Sequence, residues 1–275
     1  MVRTAVFSGR FYAGFSDELK NQIKTCFLHK IGPGSLPGPV TKKMIGNAGL
    51  ISPHAGYIYS GPVAANGFYE IASFGRPERV VLIGPNHSGF GSPLSVWPSG
   101  EWITPLGTLK IDEEFTNSLI VSTEHLSADT SAHLYEHSLE VQLPFLQYLF
   151  GNDFKIVTIT MMDQRYETAK LLADNLKELI KDGGTLVVAS SDLNHYEDHE
   201  TTMRKDTLLI ERIEERDTHG LFEEAMNKKI SACGLGPIAT VLMLFENVRI
   251  LKHATSGDVS GDFLHTVGYL SAVLN

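Results

Sequence analysis

The feature that most constrains the fold is an alternation of short apolar runs with longer segments of helical periodicity. The apolar runs are rich in Val and Ile, which favours strands over helices. Strands are predicted at residues 50–51, 79–84, 155–160, 185–190, 249–253 and 265–274. Helices are predicted at residues 16–29, 62–73, 113–121, 136–149, 164–181, 203–226 and 237–247. This pattern indicates an α/β fold with three layers, in which helices cover both faces of a mostly parallel central sheet.

The chain shows no internal repeat, and residues 1–275 are predicted to form a single domain. The stretch most like a linker, residues 31–39, is dense in Gly and Pro but lies too near the N-terminus to separate two domains, so it is interpreted as a surface loop. Ser16, followed by Asp17 and Glu18, is the predicted N-cap of the first helix. Residues 89–109 are expected to form a loop or hairpin over one edge of the sheet.

Composition and charge exclude several classes of protein. With 43% hydrophobic and 20% charged residues the chain is typical of globular proteins. It contains no apolar run of the ~18 residues that a membrane span needs, and its start lacks the apolar core of a signal peptide, so a cytoplasmic location away from membranes is expected. A net charge of −9 leaves no basic footprint for nucleic acid. Two cysteines are too few for a disulfide framework, and both are expected to be free thiols.

Three predicted strands end in loops that carry histidine. His54 follows residues 50–51, His87 follows residues 79–84, and His195 follows residues 185–190. Ligands of open α/β sheets bind beyond the carboxyl ends of the strands, so these three imidazoles are predicted to converge. The alternative is that each is an ordinary loop histidine, solvated or hydrogen-bonded locally.

Cys233 allows two interpretations. It lies just before a helix predicted to begin at Pro237, and a helix N-terminus favours the thiolate form that binds metals. The alternative, a small buried apolar residue, is the commoner fate of a free cysteine. Cys26 lies on an amphipathic helix and is interpreted as a core residue.

A second group of polar residues lies on the helix predicted at residues 136–149. His137 and Glu140 are three positions apart, so they would share a face and could support the site. His133, four residues before His137, is interpreted as structural because the segment lacks the H-E-x-x-H pattern of zinc enzymes. Asp258 and Asp262 lie in a Ser/Gly-rich loop that is either the rim of the site or a solvated turn, the latter being favoured.

Seven ordered segments resemble the Memo-like family, which includes microbial members called AmmeMemoRadiSam system protein B. They are residues 5–12 (AVFSGRFY), 53–57 (PHAGY), 84–87 (GPNH), 104–107 (TPLG), 136–140 (EHSLE), 190–196 (SSDLNHY), and 233–234 (CG) with 237–238 (PI). That family is similar in fold to class III extradiol ring-cleaving dioxygenases, which hold non-haem Fe(II) with two histidines and a carboxylate. The resemblance also implies a functional link to a radical SAM protein.

The resemblance implies a role for each residue of the site. His54 and His87 match the two histidine ligands, Cys233 stands where the dioxygenases have their carboxylate, and His195 matches the acid/base histidine. Two imidazoles and a sulfur would leave open positions on one metal ion, for which Fe(II) or Cu is expected and Zn is allowed. Asp192 is expected to orient an imidazole. The remaining pocket or supporting residues are expected to be Tyr12, Tyr57, Asn86, His137 and Glu140.

The leading functional hypothesis is a mononuclear metal-dependent oxidoreductase, similar to dioxygenases, that acts on a small aromatic or phenolic substrate. The second is a module that binds a peptide or another ligand without catalysis, since eukaryotic Memo relatives are associated with phosphotyrosine peptides. Against it, the sequence shows no Arg cluster of the kind that recognises phosphate. A third hypothesis makes Cys233 a nucleophile with His195 as its base. No nucleotide fingerprint is present, so no nucleotide cofactor is implied.

Overall fold

A mixed sheet of twelve strands forms the centre of the molecule in the computed structural model, which describes residues 1–275. In chain order the strands are β1 (Val2–Arg3), β2 (Ala48–Ser52), β3 (Arg79–Pro85), β4 (Leu94–Val96), β5 (Glu101–Thr104), β6 (Gly107–Ile111), β7 (Leu126–Ala128), β8 (Lys155–Met161), β9 (Thr185–Ser190), β10 (His195–Glu197), β11 (Val248–Thr255) and β12 (Thr266–Leu274). The helices are α1 (Ser16–Leu28), α2 (Gly61–Phe74), α3 (Glu113–Ser122), α4 (Ser131–Leu134), α5 (Leu143–Phe150), α6 (Tyr166–Leu179), α7 (His199–Glu214), α8 (Thr218–Lys228), α9 (Leu235–Leu244) and α10 (Gly257–Ser260), with a 3₁₀ helix at Glu140–Gln142.

The middle of the sheet is parallel. Its four strands run in the order β8-β3-β9-β2. Beyond β2, β12 pairs in the antiparallel direction, and β11 pairs with β12. On the opposite flank β6 pairs parallel with β8, and β5 forms an antiparallel hairpin with β6. The predicted α/β fold with a mostly parallel sheet is confirmed, as is the hairpin excursion between residues 89 and 109.

Helices cover both faces of the sheet, as predicted. Two hydrophobic clusters of nearly equal size, 31 and 30 buried residues, lie on opposite faces. Along β3, Val81 and Ile83 belong to one cluster while Val80 and Leu82 belong to the other, which is the alternation expected of a strand buried on both sides. None of the helices is both long and apolar enough to cross a membrane.

The helix predicted at residues 136–149 is the largest error at the level of elements. Residues 135–139 form a turn, the 3₁₀ helix follows, and α5 begins only at Leu143, with Pro144 in its first turn. The Glu136 side chain accepts a hydrogen bond from the main-chain N–H of Ser138 at 2.8 Å. A carboxylate bonded to the main chain two residues later competes with helix formation, so helical periodicity alone misjudged this segment.

Other helix boundaries also differ from the prediction, and three of the differences concern helix starts. The helix predicted at residues 203–226 is two helices, α7 and α8, because Asp217 caps a new start by accepting from the Gly220 N–H. The N-cap of α1 is Phe15, so Ser16 is the first helical residue and not the cap. α9 begins at Leu235, two residues before Pro237.

Candidate metal centre

The candidate site lies where three neighbouring strands end. β3, β9 and β2 are adjacent and parallel, so their carboxyl ends meet at one edge of the sheet. His54 follows β2, His87 follows β3, and His195 opens the short strand that follows the β9 loop. This arrangement gives the predicted convergence a physical basis, because loops that leave adjacent parallel strands occupy the same crevice.

Three donor atoms from distant parts of the chain meet at this edge. The ligand atoms of His54, His87 and Cys233 all lie within 4.8 Å of one another. His54 Nε2 is 3.1 Å from Cys233 Sγ, although 179 residues separate the two in sequence. The rings of His54 and His87 are perpendicular, with centroids 5.2 Å apart. Two imidazoles and a sulfur are therefore grouped closely enough to bind a single ion.

The ring of His54 contacts the hydroxyl group of Ser190, whose hydrogen already takes part in another hydrogen bond. Ser190 Oγ donates to the Ser138 carbonyl at 2.6 Å and accepts from Gln142 Nε2 at 2.8 Å. His54 Nδ1 lies 2.9 Å from the same oxygen, which can only accept there. The hydrogen of the His54 ring is therefore on Nδ1, and the lone pair of Nε2 faces Cys233.

His87 is held by a buried carboxylate. Its main-chain N–H donates to Glu136 Oε2, and its Nδ1 lies 3.0 Å from Glu136 Oε1. The side chain of Glu136 is 1% exposed, whereas that of His87 is 35% exposed and that of His54 is buried. The site is therefore closed behind His54 and open to solvent on the side of His87.

The segment that carries Cys233 packs closely against the end of β9. Its sulfur accepts a hydrogen bond from the main-chain N–H of Asp192 at 3.2 Å. The next residue, Gly234, is the N-cap of α9, and a Cβ there would lie 2.7 Å from the Ser190 carbonyl oxygen. Glycine is required at this position because any side chain would push the Cys233 segment away from the sheet.

Burial dominates the electrostatics of the metal-free site. Burial, together with the nearby His87, lowers the pKa of His54 to about 3, so its imidazole is neutral. Burial and the charge of Asp192 raise the pKa of the Cys233 thiol. In the metal-free site, burial therefore opposes the thiolate form that a helix N-terminus favours. A bound cation reverses this balance, because metal binding displaces the thiol proton.

The pKa values of His87 and Glu136 are shifted in opposite directions. Burial would lower the pKa of His87, but its hydrogen bond to Glu136 and the negative charge of that carboxylate outweigh burial and raise it. Burial would raise the pKa of Glu136, but the hydrogen bond and charge of His87 lower it to about 2. Glu136 is therefore ionised at neutral pH and acts only as an acceptor.

His195 lies at the edge of the site and is partly exposed. Its Nδ1 is 2.9 Å from the Ser231 carbonyl oxygen, and its main-chain N–H donates to Ser231 Oγ at 2.9 Å. A carbonyl can only accept, so the hydrogen of the ring is on Nδ1 and Nε2 is free to take a proton. This tautomer of His195 is compatible with the acid/base role expected from the family resemblance.

Asp192 supports the site differently from the expectation. Its carboxylate accepts from the main-chain N–H of His54 at 2.7 Å, and its own N–H donates to Cys233 Sγ. It was expected to orient an imidazole, and it instead ties the His54 loop to the Cys233 segment. Burial raises the pKa of its carboxyl group.

Four residues expected to line or support the pocket have hydrogen-bond partners other than the proposed metal ligands. Glu140 is fully buried and pairs with Arg3 at 2.6 Å, because the predicted helix that would have aimed it at the site does not form. Tyr12 donates its hydroxyl to Glu140, and Tyr57 donates to the Val141 carbonyl. Asn86 accepts from Ser88 Oγ and the Gly89 N–H, so it shapes its own loop.

His137 does reach the site, from a turn and not from a helix. Its ring stacks on His87 with centroids 4.7 Å apart and lies 5.3 Å from the ring of His54. Burial and the nearby His54 lower its pKa to about 3. His87, Glu136 and His137 form a second group whose ligand atoms lie within 4.8 Å of one another.

Glu136, Ser190 and Gln142 contact the histidines or their partners but were not among the predicted site residues. Glu136 directly precedes His137 and was noted only as part of the segment that resembles the family. Ser190 was counted as the last residue of a strand, and Gln142 carried no signal. A useful sign would have been a polar residue at the final inward position of an apolar strand, since Ser190 is fully buried.

The remaining candidates lie outside the site. Cys26 is in the core, as expected. His133 is buried against Trp97 and Trp102, which agrees with a structural role. Asp258 accepts from the Thr255 N–H and Asp262 from the Leu264 N–H, which agrees with the turn interpretation.

The donor set fits one soft or borderline metal ion. His54 Nε2 is oriented toward Cys233 Sγ, and the hydrogen bond from Asp192 is of the kind that stabilises a thiolate. Three protein ligands leave positions open for a further ligand, as in catalytic sites. Imidazole and thiolate donors favour Fe(II), Cu or Zn over Mg and Ca.

Comparison with known proteins agrees with the segments quoted above. The sequence model of the family described as Memo-like protein matches residues 3–273. The chain is 55% identical over 278 residues to a MEMO1 family protein of Thermotoga neapolitana, with both chains covered completely. It is 49% identical to a MEMO1 family protein of Sulfurisphaera tokodaii, with 98% of each chain covered.

A solved structure shares the fold. The crystal structure of an uncharacterized protein, JW3007, from Escherichia coli K12 matches with a TM-score of 0.55 and 13% sequence identity. The match covers 83% of this chain and 99% of the other. At this identity the likeness shows a common α/β architecture and nothing about chemistry.

Proposed function

The chain belongs to the Memo-like family, and from that premise we propose that it is a metal-binding oxidoreductase that holds one ion between His54, His87 and Cys233. In this proposal residues 1–275 act as one domain. The observation that carries it is the meeting of three donor atoms within 4.8 Å at the ends of adjacent strands. Nδ1 of each imidazole faces a hydrogen-bond acceptor, which leaves Nε2 of each ring to bind the metal ion.

The proposed ion is Fe(II) or copper, with zinc as the redox-inactive alternative. When bound, iron or copper supplies one-electron chemistry and a Lewis acid beside the open coordination positions. The protein's own contribution is the fixed geometry of the donors and a closed wall behind His54, which is 2% exposed. The Asp192 N–H stabilises negative charge on the sulfur.

His195 is the proposed acid/base residue. Its Nδ1 hydrogen is held by the Ser231 carbonyl, so its Nε2 can accept a proton from a phenolic or other acidic hydroxyl. Aromatic side chains stand beside the site: the ring centroid of Phe11 is 4.6 Å, and that of Phe7 5.5 Å, from that of His137. This neighbourhood favours a small aromatic substrate.

The test is metal content after anaerobic purification. About one ion per chain is expected in the natural protein, and less than a tenth of that in His54→Ala and Cys233→Ser. Cys26→Ala is the matched control, because it removes the other thiol from the core and leaves the site intact. Unchanged metal content in both site variants, or loss of metal in Cys26→Ala, would reject the assigned ligands.

A second candidate function is ligand binding without catalysis. It is favoured by large apolar side chains exposed on the loops around the site: Phe90 is 60%, Tyr135 65% and Tyr196 75% exposed. Such residues offer contact surface to a peptide or another bulky ligand. If a ligand binds the metal-free protein and the Cys233→Ser variant with equal affinity, its binding does not depend on the proposed metal site. That result would favour this function over metal-dependent chemistry.

A further inference from the structure

The buried carboxylate of Glu136 is not one of the three proposed metal ligands, but it contacts one of them. We propose that Glu136 is a positioning residue that keeps the ring hydrogen of His87 on Nδ1 and thereby presents Nε2 to the metal ion. The inference rests on the proposed function for the identity of what Nε2 binds, but the state of the His87 ring can be measured without any metal.

Glu136 holds His87 at two points. One carboxylate oxygen accepts from the main-chain N–H of His87, and the other lies 3.0 Å from His87 Nδ1. The second oxygen also accepts from the Ser138 N–H at 2.8 Å. Contact with both the backbone and the ring of one residue fixes the side-chain torsions of His87, which is otherwise the most exposed of the three proposed ligands.

The chemistry of these contacts leaves one arrangement of hydrogens. Two main-chain N–H groups already donate to Glu136, whose side chain is 1% exposed. Each carboxylate oxygen already accepts a main-chain N–H and acts as an acceptor there, so the contact with His87 Nδ1 is satisfied when Nδ1 carries the hydrogen. In metal sites a carboxylate in this position fixes the histidine tautomer and makes the ligand more basic.

Glu136 could instead be a ligand, because it also belongs to the group with His87 and His137. The observed contacts disfavour this. Its oxygens are occupied by three N–H donors, and an ion bound to His87 Nδ1 would have to displace the hydrogen that makes one of these bonds. The positioning role needs no such change.

The direct test is the protonation pattern of His87 in metal-free protein. Long-range ¹H–¹⁵N spectra of histidine-labelled protein, at a pH high enough for neutral rings, distinguish Nδ1–H from Nε2–H. The His87 signals are assigned by their loss in His87→Gln. The expected result is hydrogen on Nδ1; a predominant Nε2–H form in the natural protein would overturn the proposal.

Variants separate positioning from simple structural support. In Glu136→Gln the amide can donate to Nδ1, so His87 is expected to shift toward the Nε2–H form. Titration with Co(II), followed by the sulfur-to-metal absorption band, should show an affinity roughly 10–100-fold lower. The matched control is Glu140→Gln, which neutralises another buried carboxylate in the same segment that contacts no histidine ring. It should lower the melting temperature without changing the His87 tautomer.

The outcomes also separate this proposal from the proposed function. If the tautomer shifts in Glu136→Gln but the natural protein binds no Co(II), the positioning role stands and the metal proposal fails. If Co(II) binds with unchanged affinity and the tautomer stays the same in Glu136→Gln, the positioning role fails and the metal site stands. Two ions per chain, one of them lost in Glu136→Gln, would make Glu136 a ligand and overturn the proposal.

Discussion

At the scale of single residues, three imidazoles around the site share one tautomer for three different reasons. His54 faces a serine hydroxyl, His87 a carboxylate, and His195 a main-chain carbonyl. Each partner can only accept at that point, so in the neutral form of each ring the hydrogen is on Nδ1 and the lone pair is on Nε2. Two of these are proposed metal donors and the third a proton acceptor, so the hydrogen-bond partners behind the rings decide what the rings can do.

Buried neutral histidines make the metal-free protein sensitive to acid. Burial lowers the pKa of His54, His133 and His137 to about 3 each, against about 6.5 in an unfolded chain. Below pH 6.5 the unfolded state therefore binds more protons, and the free energy of unfolding falls as pH falls. The slope should approach, as an upper limit, about 4 kcal/mol per pH unit near pH 5. Urea unfolding between pH 7.5 and 4.5 measures it.

The same titration contains an effect of opposite sign. The pKa of His87 is raised, so its contribution to stability is complete below about pH 6.5 and is lost as pH rises through the folded value. His133→Phe is a useful control because it removes one buried imidazole away from the site, and the slope near pH 5 should fall by roughly 1.4 kcal/mol per pH unit. A free energy of unfolding that does not change between pH 7.5 and 4.5 in either protein would contradict the assignment.

The buried ion pair of Arg3 and Glu140 joins the N-terminal strand to the segment that carries His137. Arg3→Met leaves the Glu140 carboxylate buried without its cation, and we expect a loss of about 3–5 kcal/mol in the free energy of unfolding. Lys43→Met is the comparison, because Lys43 and Glu78 form an exposed pair that water screens, so its loss should destabilise the protein far less. Urea unfolding of both variants gives the answer, and similar losses would contradict the prediction.

Sequence reasoning placed His54, His87 and Cys233 together but not the residues that orient them. The first two could be placed because they follow recognisable apolar strands, and Cys233 was assigned through the family resemblance. Glu136 could not be found in the same way, since its role depends on a turn that its own side chain helps to form. Glu140 was assigned to the site because the predicted helix would have placed it on the same face as His137.

At the scale of elements, the bounds of the long buried strands were predicted closely, whereas the short strands β1, β4, β7 and β10 were not predicted. The strand predicted at 185–190 agrees fully with the structure, and those at 79–84 and 155–160 each fall one residue short. Strands buried on both faces leave a continuous apolar run in the sequence, which is hard to mistake. The predicted helix boundaries were wrong where a side chain accepts a hydrogen bond from the main chain, as Asp217 and Glu136 do.

A close contact between β12 and α7 gives a prediction at this scale. A Cβ on Gly268 would lie 1.7 Å from Asp206 Oδ2. Asp206 is fully buried, pairs with His253 and accepts from the Asn194 N–H next to His195. Gly268→Ala should therefore destabilise the protein by about 3 kcal/mol or more, by crowding and by disrupting these bonds.

The control for that variant is Gly46→Ala, where a Cβ would meet nothing within 4 Å. It should change the free energy of unfolding by less than about 1 kcal/mol. Thermal unfolding of the two variants is sufficient for the comparison. Equal stability of Gly268→Ala and the natural protein would show that Asp206 moves away without cost.

At the scale of the whole molecule, an ion bound only by the folded state should stabilise it. With zinc at 100 times its dissociation constant, the free energy of unfolding should rise by about 2.7 kcal/mol. Cys233→Ser should lose most of this gain, whereas Cys26→Ala should keep it. Thermal melts with and without zinc measure the effect, and an equal rise in Cys233→Ser would point to binding elsewhere.

The overall architecture could be predicted because the alternation of strands and helices permits few arrangements. The order of the strands could not. β12, late in the sequence, lies beside β2, and β8 lies between β6 and β3. These neighbours are chosen by packing between distant segments, which leaves no local sign in the sequence.

The pairing of β2 with β12 has a consequence for the timing of synthesis. The loop that carries His54 leaves a strand whose neighbours are β9 and β12, more than a hundred residues further along the chain. While the ribosome is still translating the middle of the message, the first imidazole has neither its hydroxyl partner nor the thiol. Under the proposed function, the ion would therefore be bound only after β9 and the Cys233 segment have been synthesised.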